Sequence, residues 1–270
     1  MSGQPQNISQ RGTALVTGAV RRIGLAIAER LARDGYRVAM HCSEASHEEA
    51  KVVAARLADA IGEARIFVIA GDLADPDCPV RLISEASAAL GPLTLLVNNA
   101  SVFVADEAQT FELELWEKHF AVNLRAPLLL AREFARQVPA GGDASIVNII
   151  DQRVWRLTPQ FFTYTLSKSA LWTATRTLAQ ALAPQRIRVN AVGPGPVLPN
   201  DVQGAVEFAA EIAGVPLRQA VDVRDIADAV LYLAQARSVT GQMIAVDAGQ
   251  HLSWETPDIA APRGEGRRQG

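Results

Sequence analysis

Residues 14–38 read ALVTGAVRRIGLAIAERLARDGYRV, and this stretch does most to decide the fold. Its first four residues, 14–17, predict a short β-strand, and the helical spacing of apolar residues across 23–34 predicts an amphipathic helix. The turn between them holds Gly18 and Gly24, and glycine permits close approaches and backbone conformations that a side chain would obstruct. The start of such a helix offers free amide protons and a partial positive charge, so the stretch predicts a phosphate-binding turn.

The same alternation of strand and helix continues along the chain. Further strands are predicted at residues 37–41, 66–69, 93–97, 145–150, 188–192 and 243–246. Further helices are predicted at residues 48–61, 80–90, 111–137, 161–182 and 223–236. Continuous apolar strands separated by amphipathic helices predict an α/β fold, a single-domain doubly wound parallel sheet of Rossmann-like type with helices on both faces. Ligands of such sheets bind beyond the carboxyl ends of the strands, where the glycine-rich and polar stretches of this chain fall.

Composition and charge argue against several classes of protein. Of the 270 residues, 49% are hydrophobic, which is enough for one sizeable core. The net charge is −3 and no long basic run occurs, so neither nucleic acid nor a membrane is expected as a partner. Cys42 and Cys78 have no metal-ligand spacing, and the four histidines have none either, so we expect no metal.

The composition also divides the chain into regions. We expect an N-terminal extension over residues 1–11, one folded domain over 12–254, and a flexible tail over 255–270. Within the domain, segment 194–217, whose start is rich in proline and glycine, is expected to form a flap over a site. The N-terminal residues contain no apolar signal core, and no apolar stretch reaches the length of a membrane span, so a cytoplasmic location is expected.

Residues 145–171, SIVNIIDQRVWRLTPQFFTYTLSKSAL, contain candidate catalytic groups. Tyr164 and Lys168 are four residues apart on a predicted helix and share one face, so a phenol and an ammonium can meet there. A nearby cation favours phenolate, and we therefore expect a lowered pKa for Tyr164, which would make it a proton donor near neutral pH. Asp151 lies at the end of the preceding predicted strand. A Tyr-x-x-x-Lys pattern alone also arises by chance, so its weight comes from the other motifs.

Residues near the first two strands indicate NADPH rather than NADH. Arg21 and Arg22 place two guanidinium groups at the phosphate turn, which suggests an additional phosphate. An acidic residue at the end of the second strand would bind the ribose hydroxyls of NAD and repel a 2′-phosphate. In this chain His41 and Ser43 are found there instead. Glu44 follows one residue later, and we expect it to be solvated.

Several motifs then occur in a fixed order: Thr17-Gly18 through Gly24, Asp72 after the third strand, Asn98-Asn99-Ala100 after the fourth, Asn123, the pair Tyr164/Lys168, Gly193-Pro194-Gly195, and residues 246–249. With these motifs, residues 11–254 resemble the short-chain dehydrogenase/reductase family. The resemblance implies a Rossmann-like reductase domain over 12–254 that binds NADPH and assembles as a homotetramer. It implies catalysis by Tyr164, Lys168, Asp151 and Asn123. The implied cofactor contacts are Thr17, Gly18, Arg21, Arg22, Ile23, Gly24, His41, Ser43, Asp72, Leu73, Asn99, Ala100, Ser101, Pro194 and Gly195.

Three departures from the usual family pattern narrow the resemblance. Arg22 replaces the middle glycine of the phosphate turn, Ser101 replaces the glycine of Asn-Asn-Ala-Gly, and Asp151 replaces the catalytic serine. These departures resemble the pteridine reductase branch, which includes bacterial reductases of dihydromonapterin and dihydrofolate. The resemblance implies that Phe103 stacks on a pterin ring and that Ser101, Asp151 and Tyr164 also contact the substrate.

The residue types fit this interpretation chemically. An ionised Asp151 would repel the alkoxide that forms when a carbonyl is reduced, whereas a carboxyl can help to deliver a proton to the nitrogen of a C=N bond. The sequence therefore predicts an NADPH-dependent reductase of a dihydropterin of the biopterin, monapterin or folate type, with Tyr164 as proton donor assisted by Asp151. The alternatives are a carbonyl reductase of the same family, acting on a 3-oxoacyl, sugar or ketone substrate, and a catalytically silent nucleotide-sensing module.

Overall fold

Seven parallel strands form one sheet in the computed structural model, which describes residues 11–61, 66–139, 141–198 and 204–254. In chain order the strands are β1 (Gly12–Val16), β2 (Tyr36–Cys42), β3 (Ile66–Ala70), β4 (Leu95–Asn98), β5 (Ala144–Ile149), β6 (Ile187–Pro194) and β7 (Met243–Val246). The helices are α1 (Arg22–Arg33), α2 (His47–Ile61), α3 (Cys78–Leu90), α4 (Leu113–Phe120), α5 (Ala126–Gln137), α6 (Phe162–Leu182), α7 (Ala205–Ala213) and α8 (Val223–Gln235).

The strand order is β3-β2-β1-β4-β5-β6-β7, so the chain changes direction across the sheet between β1 and β4. In open parallel sheets the crevice for a ligand opens at this position, beyond the carboxyl ends of the strands. The predicted doubly wound α/β fold is confirmed, and every predicted strand is present within two residues of its expected ends.

Successive side chains of each strand pack alternately into two separate cores. In β1, Ala14 and Val16 join the core that contains α1 and α8, whereas Leu15 joins the core that contains α3 and α5. Successive side chains of a strand point to opposite faces, so burial on both faces explains why the strands are apolar without interruption. The two cores hold the sheet rigid and place its carboxyl edge, where the polar residues lie.

The prediction of one continuous helix over residues 111–137 is wrong. Helix α4 begins at Leu113, and a π-helical turn over Ala121–Arg125 separates it from α5. Pro127 lies in the first turn of α5 and has no amide proton to donate. In a regular α-helix its ring would also crowd the carbonyl group of residue 123. The wider turn accommodates this constraint and carries Asn123.

Parts of three other expectations lie outside the described residues. These parts are residues 1–10 of the N-terminal extension, residues 199–203 of the flap, and the whole tail at 255–270. The described part of the flap contains α7, none of whose residues is buried. Its closure over a substrate stays a prediction.

Candidate active site

The turn between β1 and α1 lies at the carboxyl edge of the sheet. Gly18 has a φ of +63°, the left-handed region that favours glycine. A Cβ on Gly24 would lie 2.1 Å from the carbonyl oxygen of Gly18, so a side chain there would push the turn apart. At the start of α1, Arg21 makes no side-chain capping hydrogen bond and no acidic residue lies in the first turn. The amides and the positive dipole end of α1 are therefore suited to an anion.

His41 holds this turn from β2. Its Nδ1 accepts a hydrogen bond from Gly18 N at 3.3 Å, and its Nε2 lies 3.2 Å from the carbonyl oxygen of Gly71. The ring is 3% exposed, and burial lowers the pKa of His41 to about 4. The imidazole is therefore neutral near pH 7 and carries its proton on Nε2. With both nitrogens engaged, His41 supports the turn and has no positive charge to offer a phosphate.

Thr17 and Asn99 tie the turn to the end of β4. Thr17 Oγ1 accepts hydrogen bonds from Asn99 N at 2.9 Å and from Ala100 N at 3.0 Å. Asn99 Nδ2 donates to the carbonyl oxygens of Thr17 at 2.8 Å and Gly18 at 3.1 Å. The motif residues of β1 and β4 thus form one hydrogen-bonded unit at the point where the strand order reverses.

The predicted 2′-phosphate ligands lie at the surface beside this unit. Arg21 forms a salt bridge with Glu49 of α2, and Arg22 Nη2 donates to the carbonyl oxygen of Leu198 at 3.0 Å. Ser43 Oγ donates to Ser46 Oγ at 3.2 Å. Exposed ion pairs of this kind contribute about 1 kcal/mol or less, so Arg21 can exchange its partner at small cost.

The other predicted cofactor residues differ in how they are exposed. Asp72 is exposed and its Oδ1 accepts a hydrogen bond from Ala74 N at 2.9 Å, so one carboxylate oxygen already closes a turn. Leu73 is 5% exposed and its side chain packs in the core, which leaves only its backbone for a ligand. Ile23 is partly buried against the other core. A Cβ on Gly195 would lie 2.6 Å from Asp247 Cα, so glycine is needed for this close crossing after β6.

Tyr164 and Asp151 are joined directly. Tyr164 Oη donates a hydrogen bond to Asp151 Oδ2 at 2.9 Å, and Asp151 Oδ1 accepts one from Arg153 N at 2.8 Å. Helix α6 presents the phenol to the end of β5, where a short 3₁₀ turn begins at Asp151. The predicted phenol and carboxyl therefore form one proton-sharing pair.

The expected lowering of the Tyr164 pKa is wrong. Burial and the neighbouring Asp151 carboxylate raise the pKa of this phenol well above 10. Burial also raises the pKa of Asp151, although the Arg153 amide and guanidinium oppose the increase. The reason is that tertiary packing removes both groups from water, and the charged form of each loses solvation. Near neutral pH the phenol holds its proton and the carboxyl is the more acidic member of the pair.

Lys168 is almost completely buried, at 2% exposure. Its Nζ donates to the carbonyl oxygen of Ile149 at 2.8 Å and lies 5.8 Å from the centroid of the Tyr164 ring. Burial lowers the pKa of Lys168 to about 8, and the Asp151 carboxylate opposes this decrease. The ammonium is thus held beside the tyrosine by a main-chain carbonyl at the end of β5.

Asn123 fastens the segment that follows Ala100. Its Oδ1 accepts hydrogen bonds from Val102 N at 2.8 Å and Ser101 Oγ at 3.1 Å, and its Nδ2 donates to the carbonyl oxygen of Val102 at 2.9 Å. Nδ2 also donates to Ser167 Oγ at 3.2 Å, one residue before Lys168. The side chain of Asn123 therefore links the Ser101 segment to the helix that carries Tyr164 and Lys168.

Phe103 lies among aromatic rings next to Tyr164. Its ring stacks on Phe161 with centroids 4.3 Å apart and planes within 4°, and it meets the Tyr164 ring edge-on at 4.7 Å. Phe103 nevertheless remains 39% exposed. The guanidinium of Arg153 lies 4.8 Å from the centroid of Phe161. These side chains form an aromatic wall beside the Tyr164–Asp151 pair.

A family model described as enoyl-(acyl carrier protein) reductase matches residues 18–251. A short-chain type dehydrogenase/reductase of Picea abies is 36% identical in an alignment of 248 positions that covers 88% of this chain and 91% of the relative. The chain belongs to the short-chain dehydrogenase/reductase family. The family predicted from the sequence motifs is confirmed, and with it the prediction of an oxidoreductase.

Two further similarities concern the branch of this short-chain dehydrogenase/reductase. Pteridine reductase 1 of Leishmania tarentolae is 33% identical in an alignment of 282 positions that covers 89% of this chain and 96% of the relative. The crystal structure of FolM alternative dihydrofolate reductase 1 from Brucella suis, in complex with NADP, is 50% identical with a TM-score of 0.87. That similarity covers 93% of this chain and 99% of the Brucella chain. The predicted cofactor type is thus the one present in that structure.

One residue of this short-chain reductase site had no signal in the sequence. Phe161 precedes α6 with a φ of +54°, a conformation that is uncommon for an aromatic residue and is frequent at functional sites. Its stacking on Phe103 depends on two segments that are distant in the chain. Only the positive φ, which the sequence does not reveal, distinguishes it from an ordinary core aromatic.

Neither a membrane-spanning helix nor a cluster of metal-ligating side chains occurs within the described residues. No helix within the described ranges is long and apolar enough to cross a membrane. In the same part of the chain, no group of three or more histidine, cysteine, aspartate or glutamate side chains could hold a metal ion.

Proposed function

We propose that this protein is an NADPH-dependent reductase of a dihydropterin, of the biopterin, monapterin or folate type. The observation that carries the proposal is the Tyr164–Asp151 hydrogen bond beside the aromatic wall, because a carboxyl at this position suits protonation of a ring nitrogen. The similarity to a pteridine reductase and to an alternative dihydrofolate reductase supports it.

The residues at the carboxyl edge fit NADPH. The close contact between Gly24 and Gly18, together with the uncapped start of α1, leaves a cradle for a pyrophosphate. Arg21, Arg22 and Ser43 would bind the 2′-phosphate, since all three reach solvent beside the turn. Lys168 would hold the nicotinamide ribose through its buried ammonium. When bound, NADPH supplies the hydride that reduces the C=N carbon.

Asp151 distinguishes between the two substrate classes. Reduction of a carbonyl builds negative charge on oxygen, which Asp151 would repel whenever it is ionised. Reduction of a C=N bond instead requires a proton at nitrogen. A carboxyl group can hold a proton for that nitrogen, and burial raises the pKa of Asp151 and so favours its protonated form.

The pair can deliver this proton as a relay. Tyr164 gives its phenolic proton to the ring nitrogen while a protonated Asp151 returns a proton to Tyr164 Oη across the 2.9 Å contact. Because phenolate does not accumulate, the high pKa of Tyr164 does not block the transfer. The relay requires Asp151 to be protonated, so the rate should fall as pH rises through the pKa of this carboxyl.

Phe103 and Ser101 would bind the pterin. The exposed part of the Phe103 ring offers a stacking surface, and such contacts contribute about 1 kcal/mol beyond area burial. Asn123 holds Ser101, and Val102 next to Phe103, through its hydrogen bonds to these two residues. The substrate would then lie between the aromatic wall and the carboxyl edge of the sheet.

The test is NADPH oxidation by the purified protein with dihydrobiopterin, dihydromonapterin and dihydrofolate, beside ketones and 3-oxoacyl thioesters. We expect turnover with at least one pterin. In Asp151→Ser the pterin rate should fall at least about tenfold, since proton donors contribute about two to four orders of magnitude. Asp59→Ser, at an exposed position of α2, is the matched control. Turnover with carbonyls alone, or an unchanged pterin rate in Asp151→Ser, would refute the proposal.

Assembly and location are separate parts of the same proposal. We retain the homotetramer implied by the family and the cytoplasmic location. The contact surfaces would be α4 and α5, within residues 111–137, and α6. Sedimentation equilibrium and cell fractionation test these two points independently of activity.

A further inference from the structure

Helix α6 carries Tyr164 and Lys168 but lacks a capping group of its own. Its N-cap residue is Phe161, whose backbone is left-handed and whose side chain cannot accept a hydrogen bond. The first amides of a helix need acceptors, and a Ser, Thr, Asp or Asn at the N-cap normally supplies one. A different part of the chain must therefore supply the cap.

Asp106 supplies it from the loop between β4 and α4. Its carboxylate oxygens accept hydrogen bonds from Thr163 N at 3.1 and 3.3 Å, and its main-chain oxygen accepts one from Phe162 N at 3.3 Å. Asp106 Oδ2 also accepts a short hydrogen bond from Thr163 Oγ1. The carboxylate lies at the positive end of the α6 dipole, which further stabilises this arrangement.

The hydrogen bonds continue from Thr163 to His119 of α4. His119 Nδ1 lies 2.6 Å from Thr163 Oγ1, and the histidine is completely buried. The hydroxyl has one proton, which it donates to the Asp106 carboxylate, so it must accept from His119. His119 is therefore the Nδ1–H tautomer, and burial lowers its pKa, which keeps it neutral.

This chain of groups flanks the reactive tyrosine. The His119 ring lies 6.1 Å from the Tyr164 ring at an interplanar angle of 67°, and Thr163 immediately precedes Tyr164. Asp106 also anchors one end of the loop that carries Phe103, whereas Asn123 anchors the other end at Val102. The contacts that surround the tyrosine ring thus depend on a carboxylate that does not touch it.

We propose that Asp106 is a positioning residue, which caps α6 from a distant loop and fixes Tyr164 through Thr163 and His119. Its role in turnover rests on the proposed function of Tyr164, but its structural consequence does not. Substitution by alanine removes the side-chain acceptor of the Thr163 amide and hydroxyl. The His119 tautomer should persist, because Nε2 is buried with no hydrogen-bond partner among the described residues and a proton there would stay unsatisfied.

Both points can be measured without a substrate. In protein labelled with ¹⁵N-histidine, wild type should show a protonated Nδ1 and an unprotonated Nε2 for His119, and His119→Gln assigns the resonances by their disappearance. The Thr163 amide proton should exchange with solvent faster in Asp106→Ala than in wild type or in the control Asp59→Ala. Wild-type protein with the Nε2–H tautomer, or an Asp106→Ala variant whose Thr163 amide exchanges as slowly as in wild type, would overturn the proposal.

Kinetics then separate positioning from folding. Thr163→Val removes the hydroxyl without changing the shape of the side chain, and Thr163→Ser keeps the hydroxyl. We expect kcat for dihydropterin reduction to fall at least tenfold in Thr163→Val and to remain within threefold of wild type in Thr163→Ser. The Kd for NADPH, measured by fluorescence titration, should stay within twofold in both.

The two proposals fail in different ways. If wild type reduces no pterin, the proposed function fails, whereas the His119 tautomer and the exchange of the Thr163 amide still decide the role of Asp106. If the pterin is reduced and Thr163→Val matches Thr163→Ser in kcat, the positioning role is refuted and the proposed function stands. Circular dichroism of each variant establishes that it is folded before either comparison.

Discussion

Protonation of His41 should weaken the fold and the phosphate turn in mild acid. Gly18 N–H points at Nδ1, so a second proton on the ring would place two donors face to face in a site that is 3% exposed. The pKa of His41 is lowered to about 4, first by burial and then by the nearby Arg81 cation. The hydrogen bond to Gly71 and the Asp72 carboxylate oppose the decrease without cancelling it.

The magnitude follows from linkage. An unfolded chain binds a proton at histidine with a pKa of 6.5, whereas native His41 binds one only near pH 4. The native state therefore binds fewer protons, and its stability is lost as pH falls from 6.5 towards 4. Protonation of His41 should lower the free energy of unfolding by about 2 kcal/mol at about pH 5. The decrease should reach about 3 kcal/mol once the histidine is fully protonated in both the native and the unfolded state.

The assay is urea unfolding at about pH 7.5 and about pH 5, at one protein concentration, for wild type and His41→Asn. The asparagine Oδ1 can accept from Gly18 N but does not titrate. Between the two pH values, the free energy of unfolding should fall by about 2 kcal/mol more in wild type than in the variant. His119 is present in both chains, so its contribution cancels. The Kd for NADPH should rise in wild type over the same interval, because Gly18 belongs to the cradle. An equal pH-dependent loss in both proteins would refute the reasoning.

Three further outcomes are expected. Tyr164→Phe should lower kcat by about two to four orders of magnitude and leave the Kd for NADPH nearly unchanged, and a comparable loss of cofactor binding would contradict the catalytic role. Gly24→Ala should weaken NADPH binding at least about tenfold and lower the Tm, because its Cβ would lie 2.1 Å from Gly18 O. The control is Gly204→Ala, whose Cβ would meet nothing within 4 Å. Equal behaviour of the two variants would exclude the close contact as the cause. Arg153→Gln removes a cation that lowers the Asp151 pKa, so the fall in kcat at high pH should move to higher pH. Arg153→Lys keeps the cation and should move the fall less. A pH profile of kcat that does not move in Arg153→Gln would show that Arg153 does not affect the electrostatics of the Tyr164–Asp151 pair.

The local pattern of apolar residues is sufficient to predict most of the strands and helices. The apolar runs of β1 and β5 and the amphipathic run of α1 identify their elements, because burial on two faces of a parallel sheet requires residues of this kind. The interruption of helix 111–137 was missed because apolar spacing alone suggested a continuous helix. The π-helical turn depends on the position of Pro127 and on what Asn123 must contact.

The candidate site was predictable where motifs mark the ends of strands. Tyr164, Lys168 and Asp151 were recognisable by order and spacing, and the structure brings all three together. Their protonation was not predictable in the same way. Spacing placed an ammonium near the phenol, but it carried no information about how much water surrounds them or about which group lies closer.

The sequence by itself determined the α/β class, the doubly wound parallel sheet and the family, because these depend on periodicity and on motifs within short segments. Only the tertiary structure decided that His41 is a neutral support, that the Tyr164 pKa is raised and that Asp106 caps a helix more than fifty residues further along the chain. The physical reason is that charge states and capping depend on desolvation and on partners from distant segments. Both of these arise only when the chain is packed.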